Sequence, residues 1–135
     1  MKKTLAALTL VLGTYAHGDN SCQSKIEKET DSFGGTVYKS SAFVPSIDKN
    51  TVFNNVYNGM SSEGWKFAQV DAKLGVINAL QDVSYGNGKT APLNVVIENS
   101  QGGSQIVLSF TVAGGLMTTD QLVRDGFCKI IRSVG

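Results

Sequence analysis

The sequence predicts an α+β domain: an antiparallel sheet of four to five strands with two helices packed on one face, in the order β-α-β-β-β-β-α. Three observations predict it. Leu93, Val95 and Ile97, and then Ile106, Leu108, Phe110 and Val112, alternate with polar residues at a period of two, the mark of half-buried antiparallel strands. Val52, Phe53, Val56, Tyr57 and Met60 recur at helical spacing, as do Val123, Phe127, Ile130, Ile131 and Val134. Each helix therefore carries one apolar stripe, which suits packing on a single sheet face.

The chain opens with Lys2 and Lys3, followed by the uncharged run Leu5 to Leu12 and the small-residue site Thr14-Tyr15-Ala16. Charge, apolar run and cleavage site in that order form the pattern of a cleavable export signal. The run is too short to span a bilayer, which needs about twenty apolar residues. The expected division is a signal peptide over 1–16, a polar N-terminal arm over 17–35 and one α+β domain over 36–135, periplasmic or secreted. Cys22 raises a lipoprotein alternative, but Asp19 stands where a lipobox places leucine, so plain secretion is expected.

The exported chain keeps two cysteines, Cys22 and Cys128, near its opposite ends. In an oxidising compartment such a pair is expected to form a disulfide. By the chain-entropy model a loop that long is worth roughly 4–5 kcal/mol. There is no Cys-x-x-Cys spacing to support thiol catalysis.

Within 17–35, the mixed charges Lys25, Glu27, Lys28, Glu29 and Asp31 read as a solvated arm or a short exposed helix over Ser24–Thr30. A first strand runs from Thr36 to Val44 and ends at Pro45, which has no N–H to donate. The first helix starts near Asp48, whose carboxylate is suited to capping free N–H groups, and stops at Gly64. Trp65–Val70 and Val76–Val83 are strands joined by a turn, in which Asp71 bonds its downstream backbone and Gly75 takes positive φ. The last two strands are joined by a hairpin loop over Asn99–Ser104. Thr118 and Gln121 form a capping-box pattern ahead of the final helix, and Lys129 and Arg132 suit its C-terminal dipole. Cys128 lies beside the apolar stripe of that helix.

From Asp48 to Val83, Val52, Phe53, Val56, Tyr57, Gly64, Trp65, Asp71 and Gly75 trace a helix with an apolar stripe, Gly-Trp, a strand, Asp-x-x-x-Gly and a second strand. This stretch resembles small exported bacterial envelope domains of unknown function and the helix-grip repeats of the BamC lipoprotein. The resemblance covers about a quarter of the chain and implies a helix-grip fold and an envelope location. Fold analogy does not assign a function.

The sole histidine, His17, sits at the expected cleavage point, which argues against Ser-His-Asp and Cys-His catalysis and against zinc sites built on several His or Cys ligands. Asp71 and Asp82, flanking one hairpin, are the carboxylates best placed to form a hydrolytic pair, although a turn role for Asp71 and a solvated role for Asp82 are the simpler assignments. Gly86-Asn87-Gly88-Lys89-Thr90 resembles a phosphate loop only superficially, because Val83 stands where that motif needs glycine and Pro92 blocks the helix that should follow. Without Lys2 and Lys3 the net charge falls from +1 to −1, and so near-neutral a body gives no support to a nucleic-acid footprint.

The expectation is therefore an exported, non-enzymatic envelope protein without a cofactor, acting as a protein-binding or structural module for another envelope protein. Trp65, Tyr85 and Lys89 are the candidate partner-binding residues, with a sheet edge or the loop at 85–90 as the docking element. A half-buried core role for Trp65 stands beside that reading. The alternative is a carrier of a small apolar ligand in a helix–sheet cavity lined by Tyr57, Met60, Phe110 and Phe127. Hydrolysis by Asp71 and Asp82 comes third.

Overall fold

The computed structural model describes residues 26–82, 90–114 and 118–134. The elements are β1 (Glu27–Thr30), β2 (Thr36–Pro45), α1 (Lys49–Ser62), β3 (Lys66–Asp71), β4 (Val76–Asp82), β5 (Thr90–Ser100), β6 (Gly103–Val112) and α2 (Asp120–Arg132). All strands pair antiparallel in one six-stranded sheet of order β1-β2-β6-β5-β4-β3. The α+β class and the two helices are as expected, with six strands in place of four to five.

The added strand is β1, which lies in the stretch expected to be a solvated arm or short helix. All four of its residues are exposed, so it has no buried side to mark it as a strand. It forms by pairing Glu27–Thr30 with Lys39–Thr36 of β2. A short, charged strand at a sheet edge is also protected against further pairing. Ile26, just before it, packs against the core.

β2 alternates, with Tyr38, Ser40 and Val44 buried. A serine at an inward position is what blurs its pattern in the sequence. In α1, Asp48 is the N-cap residue, but its Oδ1 accepts from the Thr51 hydroxyl at 2.6 Å instead of from a backbone N–H. The helix buries Val52, Phe53, Val56 and Met60. It ends as expected at Gly64 (φ 84°), where Trp65 N donates to Met60 O and Gly64 N to Ser61 O. This reciprocal pair satisfies two of the last carbonyls of the helix.

The β3–β4 turn follows the sequence reading. Asp71 Oδ1 accepts from Leu74 N at 3.0 Å, and Gly75 has φ 75°. The β5–β6 hairpin is tighter than expected. Asn99 pairs with Ser104 and Ser100 with Gly103, leaving only Gln101 and Gly102 in the turn. Ser104 is drawn into the strand because its hydroxyl donates to Ile47 O at 2.6 Å from a fully buried position.

The α2 N-cap is Thr119, whose side chain accepts from Leu122 N at 3.2 Å, so the expected Thr118–Gln121 capping box is not formed. Gln121 donates instead to Asp125 Oδ1 at 2.8 Å. Val123, Phe127, Ile130 and Val134 are buried and Ile131 partly so. Cys128, expected beside the stripe, is itself buried.

Both helices cover the face formed by Ile106, Leu108, Phe110 and Val112 of β6 and Leu93, Val95 and Ile97 of β5, with Ile77 and Ala79 of β4. α1 lies over β5 and β6, and α2 over β2 and β6. Among the described residues no helix is long and apolar enough to cross a membrane.

Candidate functional site

Strand register places the start of β3 beside the end of β4 and the start of β5, since Lys66 pairs with Leu80 and Leu80 with Pro92. There the α1 ending and the edge of the sheet form a cleft of about 230 Å³ lined by Glu63, Gly64, Trp65, Lys66, Leu80 and Gln81. Gly64 turns the chain, and Trp65 is the first residue beyond the helix. Trp65 is half-buried, and its ring meets Phe110 edge-on at 6.5 Å between centroids. One side of the indole thus belongs to the core while the residue still lines the cleft. Glu63 on the rim faces Lys129 of α2 at 3.7 Å.

Of the three sequence-predicted partner-binding residues, only Trp65 can be placed. Tyr85 and Lys89 lie outside the described residues, as does Cys22 of the expected Cys22–Cys128 bridge. The strand residues next to the 83–89 segment, Asp82 and Thr90, pair with each other at the same end of the sheet as Trp65.

Asp71 and Asp82 are not brought together. Asp71 closes the β3–β4 turn, whereas Asp82 ends β4 at the opposite end of the sheet. Seven residues of strand separate the two ends by roughly 20 Å. A hairpin places its flanking positions together only at the open end, and Asp71 sits at the closed end. Among the described residues no group of three or more His, Cys, Asp or Glu is placed to hold a metal ion.

A polar cluster that sequence reasoning missed joins β1, β2 and α2. The Tyr38 hydroxyl donates to Asp120 Oδ1 at 2.8 Å, and Lys28 Nζ donates to the same oxygen at 3.1 Å. Lys28 also lies 5.9 Å from the Tyr38 ring centroid. Burial, then the hydrogen bond to Asp120, push the Tyr38 phenol up to about 12. That hydrogen bond, followed by the one from Lys28, holds the Asp120 carboxyl below the ordinary carboxylate range. The cluster is built to fasten α2 to the sheet, and a phenol locked in its neutral form is poorly suited to act as a base. Separations of 82 and 92 residues kept it out of sight in the sequence.

Met60, Phe110 and Phe127 belong to the apolar core, and Tyr57 packs against it. Met60, Phe110 and Phe127 are buried, and Tyr57 stacks on Phe67 at 4.7 Å.

No protein-family model matches the chain, and no curated protein matches it. Its structure is similar to that of the conserved protein of unknown function EF2215 from Enterococcus faecalis, with a TM-score of 0.55 and 9% identity over 86% of this chain and 78% of that one. This likeness shows a shared fold. Lower scores are found with Ara h 8.0201 (TM-score 0.45, 14% identity, 75% of this chain and 95% of that one) and with CalU16 from Micromonospora echinospora (0.44, 8%, 82% and 83%).

Proposed function

We propose that the protein is an exported, non-enzymatic envelope module that binds another protein at the Trp65 cleft. The observation that carries this reading is the cleft itself, at the outer end of edge strand β3. Trp65 and Leu80 give the cleft its apolar lining, and Glu63, Lys66 and Gln81 its polar lining. A half-buried tryptophan beside polar side chains is the composition of a small protein-binding hot spot. The opposite edge is unsuited to that task, since β1 presents Glu27, Lys28 and Glu29 along four residues. The placement beyond the cytosol rests on the N-terminal signal pattern, and the non-enzymatic reading on a single histidine, His17, at the expected cleavage point and on the separated Asp71 and Asp82.

The test is affinity capture from envelope extract with wild-type protein and with Leu80→Lys and Trp65→Ala, each checked for folding by circular dichroism. The expected result is a reproducible partner retained by the wild type and lost by folded Leu80→Lys. No reproducible partner, or one held equally by both, contradicts the proposal.

The alternative reading, a carrier of a small apolar ligand, requires a void between helix and sheet lined by Tyr57, Met60, Phe110 and Phe127, residues that belong to or pack against the apolar core. Native mass spectrometry decides it. A small apolar molecule released on denaturation supports it, and a bare polypeptide counts against it.

A further inference from the structure

The sheet face turned away from α1 and α2 carries an apolar row that no helix among the described residues covers. Read across the strands by register, the row is Ser41, Val107, Val96 and Val76. Val107, in the middle of the row's strands, is 38% exposed, and Phe43, one row away beside Gln105, is 47% exposed. Three valines in direct register on neighbouring strands form one contiguous apolar band. A polar row lies along one side of it, formed by Lys39, Ser109, Asn94 and Asn78.

Two of the charges on this face, Lys39 and Glu98, are placed for self-recognition. Lys39 pairs with Ser109 and Glu98 with Gln105, so the two charges lie on opposite sides of β6 and two residues either side of Val107. A two-fold axis lying in the plane of contact over Val107 exchanges the Lys39 and Glu98 positions. Two copies stacked about that axis bring Val107 against Val107 and each Lys39 against Glu98 of the other copy. Such a contact is isologous and closes on itself. Glu27 stands across from Lys39 on β1, at the outer flank of the face.

We propose that this open face is a docking surface for a second copy of the chain, giving a symmetric dimer with the two sheets packed face to face. The surface is separate from the Trp65 cleft, and the proposal does not depend on it.

Sedimentation velocity of the purified full chain over a wide concentration range tests it. The wild type is expected to shift from monomer to dimer as concentration rises. Val107→Lys, with unchanged circular dichroism, is expected to stay monomeric. Glu98→Lys sets lysine against lysine and is expected to raise the dimer Kd on the order of tenfold. Adding Lys39→Glu to Glu98→Lys is expected to restore association, and this exchange remains decisive if Val107→Lys does not fold. A wild type that stays monomeric throughout, as it would if this face served a different partner, overturns the proposal. So does a dimer indifferent to folded Val107→Lys, or a double exchange no tighter than Glu98→Lys alone.

Discussion

The Tyr38 hydroxyl donates to Asp120 Oδ1 at 2.8 Å and so ties the second strand to the first turn of the last helix. The two residues are 82 positions apart. The bond couples the N-terminal part of the sheet to a helix that also packs through its apolar stripe.

Tyr38→Phe keeps the ring, which is 4% exposed, and removes only the hydroxyl. Solvent reaches Asp120, and Lys28 remains to satisfy it, so a small but measurable loss of stability is expected. Urea denaturation of both proteins measures it. Unchanged stability removes the fastening role assigned to the pair.

The same pair predicts a pH dependence at both extremes. Asp120 has a lowered pKa in the folded protein, so its contribution is present above the ordinary carboxylate pKa and is lost as pH falls through the depressed value. Tyr38 is raised from 10.0 to about 12, so its contribution is complete below 10 and is lost as pH climbs towards 12. Ultraviolet titration should show Tyr38 ionising above the ordinary tyrosine value. In Asp120→Asn it should ionise earlier, yet still above the ordinary value, because burial remains. An identical titration in both proteins contradicts the assignment.

Gly75 closes the β3–β4 turn at φ 75°, and a Cβ added there would lie 2.2 Å from Ile97 O. Strained backbone and a clash with backbone act together in Gly75→Ala, which should lose roughly 2 kcal/mol or more. Thermal unfolding compared with Gly126→Ala, where an added Cβ meets nothing within 4 Å, provides the control. Equal midpoints would show that the turn relaxes without cost.

Much of this fold was legible where one rule sufficed. The alternation of β5 and β6, the stop at Gly64 and the Asp71–Gly75 turn depend on neighbours in sequence and appear as expected. Elements that depend on distant partners were not legible. β1 exists because β2 lies beside it, and Ser104 is a strand residue because Ile47 O accepts its hydroxyl. Thr118 and Thr119 are adjacent and chemically alike, so sequence alone could not show which caps α2. Of the candidate site, Trp65 could be named from its residue type, but the companion role of Leu80 needed the β3–β4 register.

We propose that the protein works beyond the cytosol, with its leader removed and its two cysteines joined. Cys128, buried on α2, is the described half of that proposed bridge. Intact mass of the envelope-purified protein tests this most directly. The predicted mass is that of residues 17–135 less two thiol hydrogens. A mass that retains Met1, or one with both thiols reduced, contradicts it.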